Sequence, residues 1–480
     1  EVLAHNDPAA QDFIELFNYG TTPVNIGGCI LSDRPDVNKY TIPPVTTIPA
    51  GGFVIFSETE LGFGLSALGE EVFLKNPTGT RVIDALRFGP QENGVSFGRS
   101  PDGAPEFEAL ENVTPGSPNA KPLAREVVIS EIMFSPLSGD DLDEFIELRN
   151  RTDAPVDVSG WRFTSGIDFT FPTSTIIPAN GYLVVARDVN RLLTNYPTLN
   201  PAYVVGNFSG SLANGGERVA LAKLDFIAST DNGVTVTNAV YVQVDEVTYK
   251  DGGRWGRWAD GDGSSLELRD IRSDSRRASN WADSDETSRA GWVTIEHTGV
   301  LDLGNGGCDE LHVMLLGQGE CLLDNVEVFA FGGPNRVPNG TFESGLDGWV
   351  IQGNHVHSTL RVNEGFAGSR SLHLRASGGG DNGANRAKIK LTAGFSPGQT
   401  VTIRARARWL AGHTNLLLRL KGNYLEAVGS IAPPPRGGTP GAINSRAVEN
   451  AGPAIYDVTH SPMLPAGGQA VQVIARVDDP

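Results

Sequence analysis

Basic residues recur at every second position in several segments of residues 336–430. This stretch holds twelve Lys or Arg against five Asp or Glu, in a chain of formal net charge −19. In residues 401–409 the odd positions are apolar, and the even ones include Arg404, Arg406 and Arg408. Successive side chains of a β-strand point to opposite faces, so these three are predicted to lie on one face. Guanidinium groups pair with carboxylate and sulfate oxygens, and the pattern therefore predicts a site for an anionic polysaccharide or cell-surface glycan.

The same alternation in three neighbouring segments extends this candidate ligand-binding set. It adds Arg419, Lys421, Lys388, Lys390, His373 and Arg375. If these strands are neighbours in one sheet, their polar faces form a single cationic platform. The alternative is a solvated outer face whose charges prevent aggregation. The sequence leaves both interpretations open.

Other residues with possible chemistry are isolated. His355 and His357 are spaced to share a strand face and could bind a transition metal, or they are ordinary surface histidines. The acidic loop 138–144 could hold calcium, or it is simply solvated. No nucleophile elbow, phosphate-binding glycine loop or His-Glu-x-x-His motif occurs, and the eight histidines form no recognisable triad. The segment is therefore predicted not to be an enzyme.

The three cysteines give a mixed indication. Cys29 is expected to have a packing role. Cys308 and Cys321 flank a strand-like segment, so a hairpin could bring them within bridging distance, which would fit a secreted protein. Two reduced thiols are the alternative, and the spacing does not suggest a structural zinc site.

Composition indicates an all-β chain with an acidic surface. The 58 Gly and 30 Pro punctuate short apolar runs such as 52–56 and 182–186, and long helical periods are nearly absent. The acidic balance, with a pI near 4.9, disfavours nucleic acid and anionic membranes as partners. No apolar stretch approaches the ~20 residues that span a bilayer, so membrane insertion is not expected.

A phrase at 12–18 returns at 144–150, as Asp-Phe-Ile-Glu-Leu-Phe-Asn and Glu-Phe-Ile-Glu-Leu-Arg-Asn. Pro-Val follows each copy, and Ile-Pro-Ala-x-Gly-Phe/Tyr comes later in both. Fixed order at near-fixed spacing predicts a duplicated module, here called the first and second copies. These features resemble the lamin tail domain, an immunoglobulin-like sandwich often found in tandem in secreted bacterial proteins. The resemblance implies a binding or structural module without catalytic residues, and Glu15 and Glu147 are expected to be solvated or cross-strand-paired.

Residues 339–349 resemble the opening of jelly-roll carbohydrate-binding modules. The last strand of such modules resembles 323–328, which here precedes the opening. We therefore predict a circularly permuted jelly roll, with its last strands from 292–331 and its first from 336–430; two incomplete jelly rolls are the alternative. The resemblance also implies a structural calcium held by Glu343 and Asp324. Trp409 falls in the apolar phase and Trp258 in a Gly-rich turn, so no aromatic platform for neutral glycans is predicted.

The phrase Thr-Pro-Gly-x-x-Asn ends the first copy at 114–119 and recurs at 439–444, and we call it the closing phrase. The second copy lacks it near residue 285, which suggests that the jelly roll is inserted into that copy's tail. The predicted organisation is a clipped first copy (1–120), a second copy (124–289), a jelly roll (290–430), a linker with the closing phrase (431–452) and the start of a truncated immunoglobulin-like domain (453–480). The chain is expected to be a fragment of a longer protein.

These observations favour a non-catalytic adhesion or substrate-targeting region, located outside the cell or on its surface. A purely structural spacer is one alternative. Accessory domains of an enzyme, such as a hydrolase or a spore-coat-type kinase whose catalytic domain lies elsewhere, are the other. The sequence alone does not separate the three.

Overall fold

A computed structural model describes residues 1–6, 11–231, 234–302, 304–380 and 383–478. The chain folds into two compact units. The first comprises Glu1–Val128, Asn150–Gly181 and Val219–Glu246, and the second Ile129–Arg149, Tyr182–Arg218 and Val247–Pro480. The described residues are almost entirely strands and turns, as the alternating apolar pattern predicts.

The first copy consists of short strands in two main sheets. Its strands are β1 (Val2–Leu3), β2 (Phe13–Phe17), β3 (Val24–Asn25), β4 (Ile30–Ser32), β5 (Tyr40–Thr41), β6 (Thr47–Ile48), β7 (Phe53–Ser57), β8 (Glu70–Lys75), β9 (Val82–Phe88), β10 (Phe97–Gly98) and β11 (Glu108–Ala109). One sheet has the order β11-β10-β1-β2-β7 and the other β5-β4-β8-β9, with β3 and β6 as a separate pair. Both sheets contribute to one core, in which Ile14 and Phe56 meet Leu31 and Val72. The arrangement is a β-sandwich.

The second copy adds eleven strands and one clear helix. They are β12 (Val127–Met133), β13 (Phe145–Asn150), β14 (Val156–Asp157), β15 (Arg162–Ser165), β16 (Ile176–Ile177), β17 (Tyr182–Ala186), β18 (Val204–Gly206), β19 (Arg218–Asp231), β20 (Val234–Thr248), β21 (Leu266–Leu268) and β22 (Trp281–Asp283). Six of these strands form one sheet in the second compact unit, in the order β18-β17-β13-β12-β21-β22. This order repeats that of the first copy, with the parallel edge strand β18 added.

The remaining strands of the second copy lie mainly in the first compact unit. They form the pair β14-β16 and the sheet β15-β19-β20, in which β19 and β20 are long. The two α-helices are α1 (Glu58–Leu61) and α2 (Val189–Asn195), and five short 3₁₀ turns lie at Asp141–Asp143, Pro201–Tyr203, Arg257–Ala259, Ala278–Asn280 and Gly353–His355. None of the helices in the described ranges has the length and apolar character needed to cross a bilayer.

Ten strands build the jelly roll. They are β23 (Trp292–Val300), β24 (Cys308–Leu315), β25 (Gly319–Ala330), β26 (Trp349–Gln352), β27 (Thr359–Val362), β28 (Arg370–Ala376), β29 (Arg386–Phe395), β30 (Thr400–Gly412), β31 (Asn415–Leu420) and β32 (Glu426–Ser430). Sheet A has the order β23-β30-β25-β28-β27, and sheet B has the order β26-β29-β24-β31-β32. Strands from before residue 331 thus lie inside both sheets. Residues 292–430 form one sandwich, and the alternative of two incomplete jelly rolls is wrong.

The apolar phase of the sequence forms the jelly-roll core, as the alternation predicts. Ile403, Ala405 and Ala407 of sheet A are fully buried, and so are Leu416 and Leu418 of sheet B. They belong to one cluster that also holds Trp409. Burial of this alternating set fixes the register of both sheets, because a shift of one residue would bring the charged phase inside.

The cysteines are reduced. Cys29, Cys308 and Cys321 are free and buried, so the disulfide alternative for Cys308 and Cys321 is wrong. Burial raises the pKa of Cys308 to about 11 and also raises that of Cys321. Both thiols therefore stay protonated and serve as small apolar groups in the jelly-roll core.

The last described strands are β33 (Ala454–Ser461) and β34 (Gln472–Asp478), which pair as an antiparallel hairpin. Its apolar side chains are largely exposed, including Val473 and Ile474. The guanidinium of Arg277 lies 3.9 Å from the ring centroid of Tyr456, which holds the base of the hairpin to the second copy. The prediction of an immunoglobulin-like domain at 453–480 stays a prediction.

Candidate functional site

The nine predicted ligand-binding residues divide between two sheets. Arg404, Arg406, Arg408, His373 and Arg375 lie on sheet A, while Lys388, Lys390, Arg419 and Lys421 lie on or directly after strands of sheet B. Both sheets cover one core, so their outer faces point away from each other. The expectation of one platform formed by all nine is therefore wrong. Each face is a separate surface.

Most of these cations are paired with carboxylates. The ion pairs are Arg404–Glu327 at 2.6 Å, Arg375–Glu320 at 3.0 Å, Lys388–Glu310 at 3.1 Å, Arg419–Glu426 at 2.5 Å and Lys421–Asp309 at 3.3 Å. His373 Nε2 is hydrogen-bonded to Glu320 at 2.7 Å. Residues 292–331 contain seven Asp or Glu and no Lys or Arg, and they supply most of these partners. The basic excess of 336–430 is thus neutralised by strands that lie before it in the sequence.

Three basic residues keep part of their binding capacity. Lys390 is exposed on sheet B. Arg406 lies over the ring of Phe366, 4.6 Å from its centroid, beside the ring of Trp292. Arg408 is half-buried and takes part in none of the ion pairs given above. These side chains are the remaining basis for anion binding.

Glu343 and Asp324, the predicted calcium ligands, accept hydrogen bonds from one loop. Glu343 Oε1 accepts from the backbone N–H groups of Ser369 and Arg370 at 2.8 and 2.9 Å. Asp324 Oδ2 accepts from the N–H of Phe366 at 2.7 Å. Within the described ranges, no three His, Cys, Asp or Glu side chains meet as a metal site. The carboxylates fit loop anchors better than calcium ligands, and calcium binding stays a prediction.

The acidic loop 138–144 folds onto helix α2 of the second copy. The guanidinium of Arg191 pairs with Asp143 at 2.5 Å and with Asp140 at 2.7 Å. Asn195 also donates to Asp143, at 2.7 Å. Desolvation tends to raise the pKa of Asp143, but the hydrogen bonds from Arg191, Ser138 and Asn195 together with the charge of Arg191 outweigh it, so the pKa is lowered. Arg191 therefore neutralises the two loop carboxylates Asp140 and Asp143.

His355 does not share a strand face with His357. It lies in a 3₁₀ turn and is fully buried, whereas His357 is exposed. Its Nε2 accepts from the backbone N–H of Leu315 at 3.1 Å, so the proton sits on Nδ1, which donates to Asn354 Oδ1 at 2.5 Å. Burial lowers the pKa of His355 to about 4. The alternative of a His–His metal pair does not fit, because His355 is buried in the turn while His357 is exposed. His355 is also not the surface histidine of the other alternative.

Buried glutamates hold the closing phrase in the first copy, and the sequence did not reveal this role. Thr114 donates from its backbone N–H and its hydroxyl to Glu1, at 3.1 Å each. The N–H of Gly116 donates to Glu15 at 2.5 Å. Glu15 is only 6 % exposed, and burial raises its pKa. The expectation of a solvated or cross-strand-paired Glu15 is wrong.

The second copy makes the equivalent contacts with the closing phrase at 439–444. Thr439 N–H donates to Glu131 at 2.8 Å, and Gly441 N–H donates to Glu147 at 2.6 Å. The Asn444 side chain bridges the carbonyls of Ser130 and Leu268 at 2.8 and 2.9 Å. This tail therefore returns to the second copy after the whole jelly roll. Glu147 is fully buried, so the expectation of a solvated side chain is wrong. Its Oε1 accepts a hydrogen bond from the Ser130 hydroxyl on the neighbouring strand β12 at 2.7 Å, which fits the cross-strand alternative.

The insertion leaves and re-enters the second copy at neighbouring points. Glu286 accepts a hydrogen bond from the N–H of Gly438 at 2.8 Å, and Asp285 N–H donates to the Ser445 hydroxyl at 2.6 Å. A repeated Thr-Pro-Gly-x-x-Asn phrase was the sequence signal for this return. Its glutamate partners were not predicted, because a Glu in an alternating strand ordinarily faces solvent.

Comparison with protein families identifies the modules. Residues 1–89 and 121–251 match the family model described as Lamin Tail Domain, and residues 335–427 match the one described as Carbohydrate binding domain. The chain carries immunoglobulin-like lamin tail domains followed by a carbohydrate-binding domain, the arrangement predicted from the sequence. The second match begins after β23, β24 and β25, which the fold adds to both sheets. Searches of curated proteins and of solved structures gave no match.

Proposed function

We propose that this chain is a non-catalytic carbohydrate-targeting or adhesion region that works outside the cell. The jelly roll would bind the glycan, and the lamin tail domains would support the jelly roll. The observation that supports this is the complete jelly-roll sandwich over 292–430, of which 335–427 match a carbohydrate-binding family. Neither matched family is catalytic. The extracellular location rests on the resemblance to tandem lamin tail domains of secreted proteins.

An acidic polysaccharide is the second, narrower candidate ligand. On sheet A it is favoured by Arg406 and Arg408, whose cationic groups are not taken up by the ion pairs described above. It is disfavoured by charge balance, because residues 292–430 hold twelve basic and twelve acidic side chains. Salt dependence separates the two ligand classes, since exposed ion pairs weaken as ionic strength rises.

The test is glycan binding by the full chain at several salt concentrations. Binding of an uncharged polysaccharide that persists in salt supports carbohydrate targeting. Salt-sensitive binding of sulfated or uronic polysaccharide, lost when Arg404, Arg406 and Arg408 are changed to Ser, supports the acidic ligand. Arg419→Ser on the opposite sheet is the matched control and should leave such binding unchanged. Absence of binding to any glycan at low salt would overturn the proposal in favour of a structural spacer.

A further inference from the structure

A cleft lies where the second copy meets the jelly roll, within one compact unit, and we call it the junction cleft. Its volume is about 390 Å³, which falls in the range of about 300–1,000 Å³ typical of small-ligand pockets. The second copy supplies one wall through Trp258 and residues 282–287. The jelly roll supplies the other through Glu320, Arg361 and the end of β30. Neither domain forms this cleft alone.

Close contacts hold the Trp258 ring in place. The backbone N–H of Gly412 at the end of β30 donates to the carbonyl of Asp262 at 3.1 Å. A Cβ on Gly263 would lie 2.4 Å from the Trp409 ring, and one on Gly412 would lie 2.8 Å from the Trp258 ring. Only glycine allows this approach, so the loop around Trp258 is seated against the jelly roll. Trp258 itself is half-buried and lines the cleft.

Charged groups on both walls are held by their neighbours. On the jelly-roll wall Glu320 accepts from His373 Nε2 at 2.7 Å, and Arg361 Nε donates to His373 Nδ1 at 3.2 Å. On the opposite wall Arg446 pairs with Asp285 at 3.1 Å. The side chains of Arg361 and Arg446 are nevertheless 43 % and 46 % exposed. Their free N–H groups remain available to a ligand.

The lining offers no cationic excess to an anion. Four carboxylates line the cleft, at Asp283, Asp285, Glu286 and Glu320, and three of them are paired with arginines, Asp285 with Arg446, Glu286 with Arg289 and Glu320 with Arg375. A sulfate or uronate group would compete with these carboxylates for the guanidinium groups. Hydroxyl groups instead can donate to carboxylates and accept from guanidinium groups, and an indole ring offers a flat apolar surface to the C–H face of a sugar.

We propose that the junction cleft binds one or two residues of an uncharged saccharide, with Trp258 as the stacking ring and Glu320, Arg361 and Arg446 as hydrogen-bonding groups. The site rests on the proposed carbohydrate-binding function and adds that a lamin tail domain contributes directly to it. The paired arginines and carboxylates are positioned before a ligand arrives, which reduces the entropic cost of binding.

The test measures affinity of the full chain for uncharged gluco-, xylo- and mannohexaose by titration calorimetry, with heparin and polygalacturonate as anionic probes. Trp258→Ala and Arg361→Ala are each expected to weaken binding of the preferred hexaose about tenfold. Phe226→Ala is the matched control, since Phe226 is an exposed aromatic residue that does not line the cleft, and this variant should bind as the unaltered chain does. Thermal unfolding checks each variant, and Arg361→Ala keeps the test valid if Trp258→Ala does not fold.

The outcomes separate this inference from the proposed function. Hexaose binding that is weakened by both changes supports the junction cleft. Unchanged affinity in both variants overturns the cleft but leaves carbohydrate binding elsewhere on the jelly roll. Binding of the anionic probes alone overturns the uncharged ligand. Absence of binding to every probe overturns the cleft and the proposed function together.

Discussion

Individual carboxylates of the second copy lie where water does not reach. Glu131 and Glu147 are fully buried, and desolvation raises the pKa of both, that of Glu147 to about 8. Each also accepts a backbone N–H from the closing phrase. These residues show that a Glu in the polar phase of a strand can be a structural acceptor when a later segment covers it.

Glu147→Gln is expected to flatten the alkaline side of the stability profile. The folded-state pKa of Glu147, about 8, lies above its ordinary value of 4.5. The folded state therefore favours the protonated form, and stability that is fully present below pH 4.5 is lost as pH rises through 8. Chemical denaturation at pH 5, 7 and 8.5 should show a loss of a few kcal/mol that is smaller in the variant, where Glu131 keeps its own raised pKa. Glu296→Gln, at an exposed site, is the control, and identical profiles for Glu147→Gln and the unaltered chain would refute the expectation.

His355 has the opposite pH dependence. Its pKa in the fold, about 4, lies below the ordinary 6.5. The jelly roll should therefore keep its full stability above pH 6.5 and lose about 1.4 kcal/mol or less per unit as pH falls towards 4. His355→Gln keeps an acceptor for Leu315 N–H and should reduce this acid slope in denaturation experiments, while His312, whose pKa burial also lowers, keeps its own contribution. His357→Gln changes an exposed neighbour, and an equal effect of this control would show that burial of His355 is not the cause.

At the scale of elements, the sequence predicted which segments are strands but not which strands pair. The buried phase of Ile403, Ala405 and Ala407 followed directly from alternation. The partners of that strand did not, because β30 lies between β23 and β25, which come about a hundred residues earlier. Period-two patterns report which face is apolar, but long-range pairing depends on cores that form only in three dimensions. For that reason the sequence could not show that the basic residues lie on two different sheets.

Adding a single methyl group to the closing phrase of the second copy should destabilise that copy. Gly438 has a φ of 77°, and a Cβ added at this position would lie 2.3 Å from Glu131 Oε1. Gly438→Ala should therefore lower the free energy of unfolding of the second copy by about 2 kcal/mol or more. Hydrogen exchange of β12 and β21 would report the loss of protection.

Gly452→Ala is the matched control for this change. Gly452 has a similar φ of 70°, but nothing lies within 4 Å of its Cβ. Backbone strain alone should then cost about 1–2 kcal/mol, and protection of β12 and β21 should be retained. Equal loss of protection in both variants would mean that the Glu131 contact does not anchor the phrase.

At the scale of the molecule, charge is distributed by domain. The jelly roll over 292–430 carries equal numbers of acidic and basic residues, so the formal charge of −19 belongs to the remainder of the chain. Counting 336–430 alone shows an excess of basic residues. The acidic residues that balance them lie on the strands of 292–331, which come earlier in the sequence. Domain limits, and not local composition, decide the electrostatics that a ligand meets.

The jelly roll should be removable without unfolding the second copy. Residues on either side of it are joined by the Glu286–Gly438 hydrogen bond of 2.8 Å. Replacing 288–436 with a short Gly/Ser linker should leave the six-stranded sheet intact, because insertions are tolerated where chain ends lie close together. Amide spectra of β12, β13 and β21 should overlay on those of the full chain. An unfolded product would show that the lamin tail sheet needs the jelly roll.

The paired entry and exit also decide how the protein would carry mechanical load. Tension applied along the backbone reaches 283–286 and can pass across their hydrogen bonds to 438–446 without stretching the jelly roll. The jelly roll would lie beside the path of the force. It would keep its shape while the lamin tail domain bears the pull, until the contacts of the closing phrase give way.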